Sequence, residues 1–260
     1  KGQANALGNL GNVYQSLGQY QKAIDYHQQS LEIAEKIGDQ GSKARSLGNL
    51  GNAYQSLGQY QKAIDLYEKS LVITRDIGLR QEEGSFLNNL GVAHYFLGEY
   101  EKAIDYLKQT LDIAKKIGDL KGEADSLGNL GSAYLSLGQY QEAIDLHKKS
   151  LVINREIVNR QGEANSLNNL GNAYQSRGEY QTAIDYHQQS LDITRELDDR
   201  SGEAKALNNL GVDYRLLGQY QKAINYHQQS LEIAEKIGDL KVQADSLGNL
   251  GNVYQSLGQY

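Results

Sequence analysis

The chain has 260 residues with 28 glycines and 19 tyrosines, and it contains no proline, cysteine, methionine or tryptophan. Its formal net charge of −6 argues against a dedicated nucleic-acid-binding protein, which would carry a basic surplus. The lack of cysteine excludes disulfides, thiolate metal sites and a cysteine nucleophile, and no apolar run is long enough for a membrane span. Since no signal-peptide pattern opens the chain, we expect a cytoplasmic protein that binds neither nucleic acid nor membranes.

A repeat with a period of 40 residues organises the whole sequence. The motif Leu-Gly-Asn-Leu-Gly-Asn occurs at 7–12, 47–52 and 247–252, and close variants occur at 87–92, 127–132, 167–172 and 207–212. We therefore expect a single domain over 1–260, whose units start near residues 1, 41, 81, 121, 161 and 201 and end with a half unit at 241–260.

Each period predicts two helices, and the second unit illustrates both. An apolar stripe at helical spacing marks the first, helix A: Leu47, Leu50, Tyr54 and Leu57. Gly58 interrupts it, and helix B then runs over 60–77, where Gly78 follows in the place of a left-handed residue that ends a helix. Three aspartates suit the N-cap of the next helix A: Asp39, Asp119 and Asp239. Strand patterns are lacking, so the sequence predicts an all-α fold of about thirteen helices.

The residues of this unit resemble the tetratricopeptide repeat. The pattern is Leu47-x-x-Leu50-Gly51-x-x-Tyr54-x-x-x-Gly58-x-Tyr60-x-x-Ala63-Ile64-x-x-Tyr67-x-x-Ser70-Leu71. The 40-residue length resembles the long repeats of G-protein-signalling adaptors, kinesin light chains and bacterial signalling proteins. This resemblance implies an α-α superhelical solenoid of six full repeats plus one extra helix A, and a non-catalytic scaffold that binds a partner's peptide in a concave groove lined by helix A. The usual proline after helix B is missing.

One row of asparagines lies on the face of helix A opposite its apolar stripe. Every copy carries it: Asn9, Asn49, Asn89, Asn129, Asn169, Asn209 and Asn249. Four copies add a second asparagine three residues later: Asn12, Asn52, Asn172 and Asn252. Because each amide both donates and accepts, the row could bracket the peptide groups of a bound chain. The alternative is a structural ladder in which neighbouring asparagines bond to each other.

Two units differ from the others on this face. The third carries an apolar cluster, which we interpret as an anchor pocket: Asn88, Asn89, Val92, Tyr95 and Phe96. The sixth carries a weaker version: Lys205, Asn209, Val212 and Arg215. Alternatively, these apolar residues fill gaps between neighbouring helices. The basic residues that a tetratricopeptide clamp needs for a C-terminal carboxylate are missing at Gly48, Asn88 and the asparagine row, so we do not expect recognition of an acidic tail.

No catalytic, metal or cofactor site is expected. Four histidines share one position of helix B: His27, His147, His187 and His227. Copies one repeat apart should lie about 10 Å from each other, too far to share a metal ion. The aspartates that recur once per repeat are equally separated, and no serine is paired with a histidine and an aspartate. We expect the histidines to pack as half-buried rings.

Two other functions stay open beside the peptide-binding scaffold. Near-identical repeats with open apolar ends could stack head-to-tail, which would make the chain a self-association module. The segment could also be the sensor or regulatory domain of a larger multidomain enzyme. The chain starts without methionine and ends after a helix A, so we expect a fragment of a longer signalling protein with a protein or peptide partner.

Overall fold

The computed structural model describes residues 2–258 and is helical throughout, with thirteen helices and no strand in that range. The A helices are α1 (Gly2–Ser16), α3 (Gln40–Ser56), α5 (Arg80–Phe96), α7 (Leu120–Ser136), α9 (Arg160–Ser176), α11 (Arg200–Leu216) and α13 (Leu240–Ser256). The B helices are α2 (Tyr20–Lys36), α4 (Tyr60–Asp76), α6 (Tyr100–Ile117), α8 (Tyr140–Glu156), α10 (Tyr180–Glu196) and α12 (Tyr220–Ile237). The predicted all-α class and helix pairing are confirmed.

The chain forms two compact units, Lys1–Ala133 and Tyr134–Tyr260, and the division falls within α7. In the first unit, the buried residues Leu47 and Leu50 of α3 pack against Ile24 and Leu31 of α2. The second unit repeats this arrangement, with Leu207 of α11 packed in one cluster with side chains of α10. Because α2, α4, α10 and α12 each lie between two A helices of their own unit, these helix pairs depend on their neighbours for burial. The expectation of a single domain over 1–260 stays a prediction.

Glycines in the left-handed conformation join the helices. Seven of them end the A helices, with φ between 69° and 87°: Gly18, Gly58, Gly98, Gly138, Gly178, Gly218 and Gly258. Gly78, predicted to end helix B, has a φ of 73°. Two B helices end differently, because Val158 and Asp198 take the same left-handed position with φ of 56° and 54°. A β-branched residue is strained there, since its Cβ crowds the following carbonyl oxygen.

The predicted aspartate N-caps are confirmed. Asp39 accepts a hydrogen bond from the backbone N–H of Ser42 at 3.0 Å, and Asp119 accepts one from Gly122 at 2.8 Å. Asp239 caps α13 in the same way. Each bond satisfies one of the free N–H groups at a helix start, so the aspartates define where the next helix A begins although the usual proline is missing.

The glycine after the second leucine of the motif allows a large side chain of helix B to approach helix A. A Cβ added to Gly51 would lie 2.5 Å from Cε1 of Tyr67, and one added to Gly171 would lie 2.3 Å from the ring of His187. The same close approach occurs at Gly11, Gly91 and Gly211. Packing therefore requires glycine at these five copies of the motif. No helix among residues 2–258 is long and apolar enough to cross a membrane.

Candidate functional site

The asparagine row forms a hydrogen-bonded ladder between neighbouring A helices. In the first compact unit, Lys1–Ala133, Nδ2 of Asn89 donates to Oδ1 of Asn52 at 3.1 Å. One repeat later, Nδ2 of Asn129 donates to Oδ1 of Asn88 at 2.9 Å. All four side chains are half-buried. The structural ladder that the sequence left open is thus present in this unit.

The second unit carries the same ladder. Nδ2 of Asn209 donates to Oδ1 of Asn168 at 2.8 Å and to Oδ1 of Asn172 at 3.3 Å. Nδ2 of Asn249 donates to Oδ1 of Asn208 at 3.2 Å. At four of the seven copies, then, the invariant asparagine is a donor to the A helix before it.

The acceptor of the ladder changes with the copy. Asn52 accepts in the second 40-residue repeat, but the equivalent residue in the third repeat is Val92, whose side chain has no acceptor. In that repeat Asn88, one turn earlier, is the acceptor instead, and in the sixth repeat Asn208 is the acceptor beside Val212. The predicted residues Val92 and Val212 are both half-buried next to these replacement acceptors. Loss of one acceptor is therefore matched by gain of another.

Rings of helix B reach the same acceptors from the core. The hydroxyl of Tyr67 donates to Oδ1 of Asn52 at 2.8 Å. Nε2 of His187 lies 3.2 Å from Oδ1 of Asn172, and Nδ1 of His227 lies 2.8 Å from Oδ1 of Asn208. The ladder is therefore held from both sides, by the neighbouring A helix and by a buried ring.

The remaining predicted asparagines are accessible. Asn9, Asn12 and Asn252 are exposed, and Asn49 and Asn169 are half-buried. Asn89, Asn129 and Asn249 each donate one N–H to the ladder, so a second N–H and the Oδ1 lone pairs of these residues stay available for other partners. Peptide contact by the row stays a prediction, and the ladder does not exclude it.

The aromatic cluster of the third unit contacts its neighbours and is also open. Phe96 stacks on Tyr60 of α4 with ring centroids 5.2 Å apart, yet 57% of its surface is exposed. Tyr95 is half-buried, with its ring centroid 5.7 Å from that of Phe96 and 5.5 Å from that of Tyr100. Phe96 thus fills part of a gap between helices, as the alternative reading held, and still presents a large apolar surface.

The sixth-unit cluster is more polar. Lys205 is exposed, whereas Arg215 is half-buried. Nε of Arg215 is buried and has no hydrogen-bond partner among residues 2–258. Burial, with a smaller effect of the Arg215 charge, lowers the pKa of His227 to about 4. We therefore treat the third-unit cluster as the better candidate for ligand contact.

The helix B histidines are fully buried in the described part of the chain, so the expectation of half-buried rings was wrong. His27 is fully buried, neither of its ring nitrogens has a partner within residues 2–258, and burial lowers its pKa to about 4. Burial has the same effect on His147. No group of three or more histidine, aspartate or glutamate side chains in that part of the chain could hold a metal ion.

One buried pair was missed in the sequence. Nδ1 of His187 lies 2.6 Å from Oδ2 of Asp213, and both side chains are fully buried. Gln175 donates to the other carboxylate oxygen at 2.6 Å. The signal was available, because Asp213 stands where the other copies have Val13, Ala53, Ala93, Ala133, Ala173 and Val253.

A cavity between α5, α6 and α7 was also missed. Its volume is about 290 Å³, and its walls include Ser85, Asn88, Ile113 and Asp125. Gly84 also lines it. The sequence signal was this glycine, which replaces an alanine found in the other copies.

Comparison with known families identifies the repeat. A family model described as tetratricopeptide repeat matches residues 2–76, 82–156, 162–236 and 202–260. The chain belongs to the tetratricopeptide repeat family. Tetratricopeptide repeats form helical solenoids that are typically non-catalytic and generally mediate protein interactions. A comparison with curated proteins finds no match.

Solved structures share this tetratricopeptide fold. A STAND signal-transduction ATPase with a tetratricopeptide repeat sensor from Pyrococcus horikoshii matches with 20% identity and a TM-score of 0.79, over 99% of this chain and 39% of that chain. A Rap protein complexed with Competence and Sporulation Factor matches with 20% identity and a TM-score of 0.71, over 99% and 76%. Nearly identical repeats of a putative kinesin light chain from Podosopora anserina match with 25% identity and a TM-score of 0.63, over 77% and 99%.

Proposed function

We propose that this array is an interaction scaffold whose A helices bind a peptide segment of a partner protein. The observation that carries the proposal is the exposed ring of Phe96, 57% accessible, beside a row of half-buried side-chain amides. Exposed aromatic rings supply large contact area and dominate many interfaces, while amides pair with the peptide groups of an extended chain. The Rap protein, which shares the fold, was solved in complex with a factor, and this supports the same use here.

The ladder favours binding because it fixes the amides in advance. Asn129 and Asn249 each donate one N–H to the preceding A helix, which holds the side chain in one rotamer. A ligand then does not have to order these groups, and that saves about 0.5–1.5 kcal/mol for each side chain that would otherwise be immobilised. The ladder and peptide contact are therefore compatible roles of one row.

The experiment replaces Tyr95 and Phe96 by glutamine and serine, the residues that the second repeat carries at the same positions. A phage-displayed library of random peptides is selected on the wild-type chain, and affinities of the selected peptides are measured by fluorescence anisotropy. We expect the double variant Tyr95→Gln, Phe96→Ser to weaken binding by about 30-fold, since truncation of a hot spot costs about 2 kcal/mol or more.

Val152→Gln is the matched control, because Val152 is 63% exposed but lies on helix B. We expect this variant to leave the affinities unchanged and both variants to keep the wild-type circular dichroism spectrum. Peptides that bind the double variant as tightly as the wild type, or a selection that enriches none, would contradict the proposal.

Two alternatives stay predictions. The likeness to the STAND ATPase, whose tetratricopeptide repeats are a sensor, supports a regulatory role within a larger protein. Head-to-tail self-association is supported by exposed leucines on α1 and α13, Leu10 at 44% and Leu247 at 56%. A strictly monomeric chain in light scattering across a concentration series would count against the second.

A further inference from the structure

The third unit has lost a methyl group at a contact between helices. Gly84 stands where every other copy has alanine: Ala4, Ala44, Ala124, Ala164, Ala204 and Ala244. A Cβ at Gly84 would lie 3.3 Å from Cγ2 of Ile113 on α6, so the missing methyl faces that side chain. Ile113 therefore already contacts the position of that methyl, and both residues line the cavity between α5, α6 and α7.

The same junction has also lost a cross-link made by a hydroxyl group. In the first two copies, Oγ of Ser30 donates to the carbonyl oxygen of Ala4 at 2.8 Å and lies 2.8 Å from Oγ of Ser46. In the third copy, Thr110 bonds instead to the carbonyl oxygen of Tyr106 in its own helix at 3.1 Å. Ser126 bonds within its own helix too. The helices border a cavity of about 290 Å³ at this junction, and the equivalent cleft of the first copy, beside Ala4 and Ser30, has about 370 Å³.

The cavity combines an apolar wall with an exposed carboxylate at its rim. Ile113, Ala114 and Ile117 of α6 form the wall, and Asp125 of α7 lies at the rim. Asp125 makes no hydrogen bond or ion pair with any residue in the described part of the chain. Burial raises the pKa of this carboxyl, although the nearby positive charge of Lys121 acts against the rise. A carboxylate so placed gains from a cationic partner.

Resting on the proposed function, we propose that this cavity is the anchor subsite of the binding face, which takes an aliphatic side chain of the peptide while an adjacent lysine or arginine pairs with Asp125. The cavity holds the volume of about ten water molecules, so an aliphatic group that enters it buries apolar surface and releases water. The carboxylate selects a cation and disfavours an acidic neighbour.

The distance to the aromatic cluster predicts the length of the motif. Ser85 at the cavity and Phe96 are eleven positions apart on α5. At a rise of about 1.5 Å per residue they are separated by roughly 16 Å, which an extended peptide spans in about five residues. We expect selected peptides to carry an aliphatic residue next to lysine or arginine, and an apolar residue about five positions away.

Two variants test the subsite with the peptides selected on the wild type. Gly84→Ala restores the residue of the other copies and should lower affinity by about tenfold or more, since one methyl group in a pocket changes binding by about 1–3 kcal/mol. Asp125→Asn should lower affinity several-fold at low salt and by less as salt is raised. Asp245→Asn, at the equivalent position of α13, is the matched control and should change nothing.

The outcomes separate this inference from the proposed function. Peptides that keep wild-type affinity for Gly84→Ala and Asp125→Asn, but lose it with Phe96→Ser, would overturn the anchor subsite and leave the binding face in place. Peptides that respond to none of these variants would overturn both. Since alanine occurs at the position of Gly84 in six folded copies, loss of binding by this variant with an unchanged circular dichroism spectrum supports the subsite.

Discussion

The substitution Gly51→Ala should destabilise the protein although alanine is the better helix former. The new Cβ would lie 2.5 Å from Cε1 and 2.8 Å from Cδ1 of Tyr67, a fully buried ring whose hydroxyl donates to Asn52. Overpacking costs about 1–3 kcal/mol, and displacement of the ring endangers a hydrogen bond with a net value of about 1 kcal/mol. Alanine returns about 1 kcal/mol of helix propensity. We expect a net loss of about 2 kcal/mol.

Gly251→Ala is the matched control, because Gly251 occupies the same position of the motif. No described atom lies within 4 Å of a Cβ built there, so only the gain in helix propensity remains. We expect α13 to be stabilised by about 1 kcal/mol. The same chemical change should therefore differ by about 3 kcal/mol between the two sites and have opposite signs.

The measurement must resolve single helices, since repeat proteins open in segments. Urea unfolding followed by far-UV circular dichroism gives the global change, and amide hydrogen exchange gives the local change in α3, α4 and α13. If Gly51→Ala slowed exchange in α3 and α4, or if both variants shifted stability equally, the packing role of this glycine would be refuted.

Two further predictions concern stability. Val158→Gly should raise the unfolding free energy by about 1–2 kcal/mol in urea titrations, because it removes left-handed strain, whereas Val152→Gly within α8 should lower it by about 0.5 kcal/mol. The other prediction replaces His27, His147 and His227 by leucine, the residue that the third copy carries at this position. We expect this change to reduce the fall in the unfolding free energy between pH about 6.5 and about 4. Their pKa values are lowered on folding, so the unfolded chain binds protons that the folded chain excludes, and acid favours unfolding. An unchanged slope in pH-dependent urea unfolding would contradict this origin.

The fold was predictable because its signals are local and repeated. Leu47 and Leu50 mark the buried side of helix A, Gly58 its end, and Asp39 its start, and each lies within one turn of the feature that it predicts. The end of helix B at Val158 was less visible, since a valine gives no sign of a left-handed backbone. Backbone hydrogen bonds from Val158 to Arg155 and from Asn159 to Asn154 accompany that conformation.

The role of the asparagine row was not predictable in the same way. An amide such as Asn89 satisfies its donors and acceptors equally well with a ligand or with Asn52, and only the distance between two A helices decides which partner it meets. In the third repeat, valine replaces the accepting asparagine at position 92 and asparagine appears at position 88. This pair of changes can be interpreted only once that distance is known. The cavity required more, because the orientation of the Thr110 hydroxyl follows from rotamer choice and packing.

The ladder also limits where specificity can reside. A row of equivalent asparagines offers an extended peptide the same contacts at every repeat, so a ligand held by Asn89 and Asn129 alone could shift by one repeat with little change in energy. A fixed register needs features that occur once. The glycine at position 84 and the exposed ring of Phe96 are two such features within one repeat. Copy-specific residues must therefore supply selectivity, while the repeated amides supply affinity that is independent of position.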